Sequence, residues 1–410
     1  MLGVGIDWSE DFHVAALAGP DDVTFTLRRV DHNPFALEAF IAQLHALEPE
    51  PTLVRVVLET SHGVLVRRLI EAGFTVMPVN PDLVARRRNS ARKKDDSEDA
   101  RIACRMALDI REGLRPLVPH SPDAAELQAL ARDDARLGRD ERRLTNRLRA
   151  DLIAVYPAAV AIAAGEYGRL TFLRMLERWP SQDQLATVSD DELLEFAKAC
   201  GNRWRKRWAQ RVRVALDTEQ FVVPEHLMRA KAGTIRFNAI RLLALHTERQ
   251  RLARRIEEIF GGDEDRAPFP GSEIYLSFPG LGLLLAARVA GEIGQNIETF
   301  ASPAALKAYA GKAPVTRKSG KSEHIIEHRQ AHNHALGDAA QTWAFCSLSC
   351  SSWARDYYAA QRGRGKSHHG ALRALANRWL GILWHCLTTA QHYDENIHVA
   401  NRERMQPRAA

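Results

Sequence analysis

The chain has 410 residues, 45% of them apolar and 26% charged, and 57 basic against 51 acidic side chains leave a formal charge of +6. That length predicts two or three domains, and the mild basic excess favours a polyanionic partner. No apolar run approaches the roughly 18 residues needed to cross a bilayer, and the opening Met-Leu-Gly-Val-Gly-Ile-Asp enters a strand pattern without the charged and apolar regions of a signal peptide, so the expectation is a cytoplasmic protein with no membrane partner.

Short β-rich runs come first: Leu2 to Ile6, Phe12 to Leu17, Val23 to Val30, Val54 to Leu58 and Phe74 to Val79. Between the third and fourth, Asn33 and Pro34 form a helix start, with Phe35, Leu37, Phe40, Ile41 and Leu44 as its apolar stripe. Three strands in succession, then helix and strand in alternation, predict a mixed sheet with a meander start rather than a purely parallel one. From about Pro122 the pattern is strand-free helix. Leu130, Leu137 and Leu144 recur every seven residues among many arginines, which predicts a basic coiled-coil arm ended by Pro157. A second long pattern, Ile235 to Ile259, fits an antiparallel partner for it. The segment from about 158 to 230 is helical in pattern and has no assigned role. Gly261 to Gly271 looks like an acidic linker into a helical C-terminal domain. The expected division is 1–115, 116–262, 263–400 and a tail at 401–410. Five scattered cysteines, Cys104, Cys200, Cys346, Cys350 and Cys386, without paired C-x-x-C spacing, predict reduced thiols.

Four acids stand where chemistry can be done. Asp7 ends the first strand run and Glu59 the fourth, so both carboxylates can occupy one rim of a sheet. Asp96 and Asp99, three apart at a helix start, share one face. Together they form a set of hard oxygen donors suited to Mg2+ or Mn2+ and to the two-ion chemistry of a phosphodiester; singly, each reads equally as a solvated strand-end or helix-start acid. Arg86, Arg87, Arg88, Arg92, Lys93 and Lys94 precede the acidic pair and suit contact with a nucleic-acid backbone. Further on, Pro279-Gly280-Leu281-Gly282 before a small-residue helix has the form of a helix-hairpin-helix turn, whose amides can meet a phosphate. Finally, Ser319 lies in a polar turn between helical patterns, flanked by Arg317, Lys318 and Lys321, in the positive field that a serine attacking phosphate needs. Several histidines follow it, including His324, His328, His332 and His334, with no base assignable.

In this order, Gly-Ile-Asp7, Leu-Glu59-Thr, Asp96-x-x-Asp99-Ala, the arginine-rich arm, Pro279-Gly-Leu-Gly282 and Tyr309-Ala-Gly through Ser319-Gly320 cover nearly the whole chain. The chain resembles the insertion-sequence transposase family numbered one hundred and ten, of the DEDD plus C-terminal serine type, relatives of the Piv and MooV DNA invertases. The resemblance implies an α/β ribonuclease H-like (RuvC-like) domain followed by all-α parts. It implies that Asp7, Glu59, Asp96 and Asp99 hold the metal and that Ser319 attacks DNA, forming a phosphoserine link and releasing a 3′-hydroxyl. It also implies a homo-oligomer, dimer or tetramer, with acids and serine from different subunits in one centre, and a structured bridge RNA as guide. Two positions depart from the family pattern. Asp95 stands where a threonine is usual, so Asp95 with Asp99 is an alternative pairing, and a histidine-rich stretch follows the serine loop, with Ser322 as the alternative nucleophile. The expected function is metal-dependent strand exchange that mobilises an insertion sequence. The alternatives are a RuvC-like endonuclease that hydrolyses DNA with water, and a non-catalytic nucleic-acid-binding protein.

Overall fold

The computed structural model describes residues 1–61, 63–87, 95–109, 114, 116–118, 121–219, 223–319, 322–326 and 332–397. The chain divides into two compact units, Met1–Pro119 and His120–Ala410. The boundary lies four residues beyond the expected 115, and the segments expected as arm and C-terminal domain belong to one unit.

In the first unit, β1 (Leu2–Asp7), β2 (Phe12–Ala18) and β3 (Thr26–Asp31) form an antiparallel meander, and β4 (Val54–Leu58) and β5 (Thr75–Pro78) add parallel to β1, giving the order β3-β2-β1-β4-β5. The mixed sheet with a meander start is thus present. Helices α1 (Pro34–Leu47), α2 (Val64–Glu71), α3 (Pro81–Arg87) and α4 (Asp96–Leu108) complete the unit. Asn33 caps α1, its side-chain oxygen accepting from Ala36 N at 3.0 Å. Leu37, Phe40, Ile41 and Leu44 are buried, but Phe35 is 89% exposed and belongs to no core; as the second helical residue it points away from the stripe. The third strand starts at Thr26, later than expected, and Val23 is exposed.

The second unit opens on α5 (Pro122–Val155), 34 residues long and capped by Ser121, which packs along α11 (Glu225–Gly261). The pairs Glu126–Arg255, Asp134–Arg249 and Asp151–Lys231 run in opposite directions along the two helices, so the hairpin is antiparallel. Leu144 and Leu148 are buried in it, whereas Leu130 and Leu137 are only half-buried. The stripe is therefore used within the chain, and its middle is polar. Asp134 is 1% exposed and accepts from Arg249 Nε at 2.8 Å and from Arg288. At the far end of the hairpin, α6 (Pro157–Ala163), α7 (Leu170–Arg178), α8 (Gln182–Ala186), α9 (Asp190–Ala199) and α10 (Arg205–Asp217) enclose their own core with Trp179, Phe196 and Trp208 in contact.

The near ends of α5 and α11 instead join the core of α12 (Ser272–Leu276), α13 (Leu283–Ile293), α14 (Pro303–Tyr309), α15 (His334–Cys350), α16 (Ser352–Gly363) and α17 (His368–Thr389), centred on Phe278, Trp343, Trp353 and Trp379. The expected linker is a folded turn: Gly262 has φ +74°, Asp263 N donates to Arg266 O at 3.0 Å, and Arg266 pairs with Asp123 of α5. Nor is this part wholly helical, because β6 (Val315–Ser319) and β7 (Ser322–Ile326) form an antiparallel hairpin. The tail at 401–410 lies outside the described residues. Among the described residues, all five cysteines are unpaired and no helix is long and apolar enough to cross a membrane.

Candidate functional site

Asp7 is the last residue of β1, and β1 pairs with β4 in parallel through Ile6 opposite Leu58, so Glu59 occupies the adjoining position on the same rim. Both are half-buried. Helix α4 lies directly on β1. A Cβ on Gly5 would come within 2.1 Å of Ala100 O and Cys104 N, and one on Gly3 would meet Leu108 and the Cys104 carbonyl; only glycine lets the backbones approach so closely. Going from Gly3 to Gly5 along the strand corresponds to going back from Leu108 and Cys104 to Ala100 along the helix. Two strand residues span about 6.6 Å and four helical residues about 6 Å, so two further strand residues, to Asp7, correspond to one further turn, to Asp96. The acidic first turn of α4 therefore overhangs the rim that carries Asp7. Asp99 is 5% exposed, and Asp96 is exposed.

Asp95 is already used. It is the N-cap of α4, and its Oδ1 accepts from Ser97 N at 3.2 Å. In donor chemistry the four carboxylates fit a hard divalent cation, and the topology brings them to one edge, but among the described residues no three His, Cys, Asp or Glu side chains are drawn together as a metal cluster. Of the basic run, Arg87 is exposed near the end of α3, the Arg86 side chain is outside the described atoms, and Arg88, Arg92, Lys93 and Lys94 lie outside the described residues.

In the second unit, Ser319 is the last residue of β6, opposite Ser322 of β7, rather than part of a turn between helices. Val315 and Thr316 are β-branched and suit a strand, and the segment Val315-Thr-Arg-Lys-Ser319 has no apolar residues at helical spacing to form a stripe. The side chains of Arg317, Lys318, Ser319, Ser322, His324 and the rest of the two strands are outside the described atoms, and Gly320, Lys321 and His328 are outside the described residues.

Tyr309 and Gly311, ahead of β6, are tied to the residues that start α15. Asn333 N donates to Tyr309 O at 2.8 Å, the Asn333 side chain caps α15, and its Nδ2 donates to Tyr309 Oη at 2.8 Å and to Glu292 Oε2 at 2.7 Å. Gly311 has φ +65°, and a Cβ there would collide with the His332 ring. Beside them the Lys312 ammonium, whose Nζ donates to Gln341 at 3.0 Å, is brought down to about 8 by burial and by neighbouring Arg373. Glu292 is 3% exposed and receives Arg132 and Gln128 of α5 as well. Sequence reasoning missed this cluster, although a lone glutamate in Leu-Leu-Leu-Ala-Ala-Arg-Val-Ala-Gly-Glu-Ile was a visible signal, because a charge in an apolar helix face needs a partner.

The turn before α13 is divided in its roles. Gly280, φ +78°, has the backbone of Cys346 and Ser347 so close that a Cβ would approach to 2.5 Å, and Trp343 Nε1 donates to Pro279 O, so this glycine packs against α15 instead of lining an open cradle. Gly282, the N-cap of α13, is exposed with open space at its Cβ.

Comparison with known proteins assigns both units. A DEDD-type transposase model matches residues 4–157, and the model of the transposase IS116/IS110/IS902 family matches residues 272–359. The IS117 mini-circle protein of Streptomyces coelicolor is 32% identical over 400 residues, 95% of either chain. The chain belongs to the IS116/IS110/IS902 family of transposases. The transposase is also 29% identical, over 390 residues, to the 44.8 kDa protein of insertion element IS116 from Streptomyces clavuligerus, covering 93% of this chain and 94% of that one. Against the 42 kDa protein of insertion element IS900 from Mycobacterium paratuberculosis it is 27% identical over 389 residues, with the same coverage. The DEDD-type match contains the acidic rim, and the second match contains the hairpin with Ser319.

Proposed function

We propose that this transposase mobilises its insertion sequence by serine-mediated DNA strand exchange, with Asp7, Glu59, Asp96 and Asp99 as the ligands of Mg2+ (or Mn2+) and Ser319 as the nucleophile. The observation that carries the acidic half is the fit of α4 onto Gly3 and Gly5, which sets the Asp96–Asp99 turn over the strand end bearing Asp7 and beside Glu59. A bound divalent ion would neutralise charge on the attacking and leaving oxygens of a phosphodiester. The chain's part is to hold four carboxylates on a stiff sheet edge and helix start.

For the serine half, the position of Ser319 at the end of β6, opposite Ser322 of β7, supports the reading. The Ser319 hydroxyl oxygen bonds to phosphorus, the bond from phosphorus to the 3′-oxygen breaks, and the serine proton ends on that oxygen, giving a phosphoserine-linked 5′ end and a free 3′-hydroxyl. Arg317 and Lys318 of β6, with Lys321 close by in sequence, would offset the phosphate charge; Gly282, Arg87 and the basic run before α4 would hold the DNA backbone.

The test is to trap the intermediate. Incubation with an element-end substrate should leave protein covalently bound to DNA after denaturation, and Ser319→Ala should abolish the adduct. Cleavage products with no adduct in the unaltered protein would establish the RuvC-like hydrolytic reading, and no cleavage under any divalent ion would establish a non-catalytic binder. We also assign to this reading a homo-oligomer sharing acids and serine between subunits, and a structured guide RNA. A discrete RNA copurifying with the protein supports guidance; full-rate, target-specific recombination by RNA-free protein overturns it.

A further inference from the structure

The helices at the far end of the α5–α11 hairpin surround a cavity of about 550 Å3 whose wall includes Glu166, Arg169, Arg203, Trp204, Arg207 and Arg211. From 198 to 213 the chain has seven cations, Lys198, Arg203, Arg205, Lys206, Arg207, Arg211 and Arg213, and no acid. Some are engaged: Lys198 pairs with Glu195, Arg213 with Asp190, and Arg211 donates to the Ile162 carbonyl, while Arg169 of the wall pairs with Glu166. Among the described residues, neither Arg203 nor Arg207 forms an ion pair, and both are exposed.

Trp204 is 74% exposed, although Trp179 and Trp208 nearby are buried. Its backbone is fixed at the start of a helix. Gly201, φ +69°, turns the chain, and the Asn202 side chain accepts from Trp204 N at 2.9 Å. Helix α10 then starts with Arg205, Lys206 and Arg207, with no acid in its first turn and no side-chain cap. Cations at the positive end of a helix repel the dipole and one another, and stability alone favours the reverse. An exposed indole and a fan of guanidiniums around one concavity are the two elements by which proteins hold an unpaired nucleotide: base on aromatic face, phosphate on arginine. A duplex offers no free base face to the indole.

We propose that this pocket seats an unpaired nucleotide of a single-stranded nucleic acid, DNA or RNA, with its base on Trp204 and its phosphate on Arg203 and Arg207. The site is independent of the roles assigned to Ser319 and the four acids.

The experiment uses the full chain and labelled oligonucleotides of one sequence as single-stranded DNA, single-stranded RNA and duplex, with binding followed by anisotropy across a salt series. Trp204→Ala should weaken single-strand binding about 5- to 150-fold, the value of one base–aromatic stack, while Trp204→Phe keeps most of it and the duplex changes little. Replacing Arg203 and Arg207 together by Gln should lower the slope of log affinity against log salt by about 0.7 for single strands, the share of one neutralised phosphate. The larger loss between the DNA and RNA arms identifies the source of the strand. Because other parts of the chain also meet nucleic acid, an iodouracil-containing strand is photocrosslinked in parallel, and the adduct should map to the peptide carrying Trp204 and be displaced by single strand before duplex. Crosslinks confined to other segments, or unchanged affinity and slope in both variants, overturn the proposal. So does a loss seen only with vesicles of anionic lipid, which would make the pocket a membrane contact.

Discussion

Arg132 and Glu292 meet through two parallel bonds, Nε to Oε1 at 2.6 Å and Nη2 to Oε2 at 2.8 Å, and the two partners are unequally buried, with side chains 47% and 3% exposed. The asymmetry decides what each loss costs. Arg132→Ala leaves a buried carboxylate without its cation and should destabilise the protein by about 3 kcal/mol, whereas Glu292→Gln releases a half-exposed guanidinium to water and should cost only about 1 kcal/mol. Urea denaturation of the two variants checks the order. Equal losses would mean that Gln128 and Asn333 alone satisfy the carboxylate.

At the acidic rim, Asp7→Asn, Glu59→Gln, Asp96→Asn and Asp99→Asn should each abolish strand exchange, by about 100-fold or more, while circular dichroism and melting temperature stay near those of the unaltered protein. Asp95→Asn should leave both activity and stability intact, since asparagine caps a helix as well as aspartate. Activity lost in Asp95→Asn and kept in Asp96→Asn would shift the ligand register by one residue.

If acids and serine act from different subunits, mixing Asp7→Asn protein with Ser319→Ala protein, each inactive alone, should restore part of the strand exchange. Within a chain Leu144 and Leu148 are buried between α5 and α11, so polar substitutions there should cost about 2–5 kcal/mol of folding stability instead of acting on assembly alone. Mixed subunits that co-assemble on DNA and stay inactive would place the whole reaction in one chain.

Acid should weaken the two units in sequence. His13, 1% exposed and 2.9 Å from His32 Nδ1, is lowered by burial and by that neighbour to about 4. The unfolded chain therefore takes up the proton first: the stability that neutral His13 contributes is complete above about 6.5 and is lost as pH falls from there through 4, at most about 3 kcal/mol. Burial pushes the Asp134 carboxyl up, but hydrogen bonds from Arg249 and Arg288 outweigh it and hold it below its ordinary value. Its contribution is present above about 3.9 and is lost only as pH falls through the depressed value. Denaturation at pH 7, 5 and 3 should show the Met1–Pro119 unit weakening by pH 5, and His13→Asn should flatten that dependence without altering the second unit.

Much of the first unit was legible along the chain, since strands and helices announce themselves by local period. The succession of strand runs predicted the meander, Asn33-Pro34 the start of α1, and the strand-end positions of Asp7 and Glu59 follow from where apolar runs stop. The family resemblance was legible for the same reason: it rests on short motifs in a fixed order. Contacts between residues distant in sequence were not. Only the packed structure shows that Gly3 and Gly5 are the seat of α4, that Gly280 is filled by α15 rather than open, and that Asp134 and Glu292 are buried against arginines of other helices. Ser319 sits on a strand because two short polar segments pair through backbone bonds, and such pairing leaves no apolar period to read. Trp204 has the same origin: tryptophan in a helical segment is ordinarily core, as Trp208 is, and the fold of α6–α10 alone leaves one indole inside and the other in solvent.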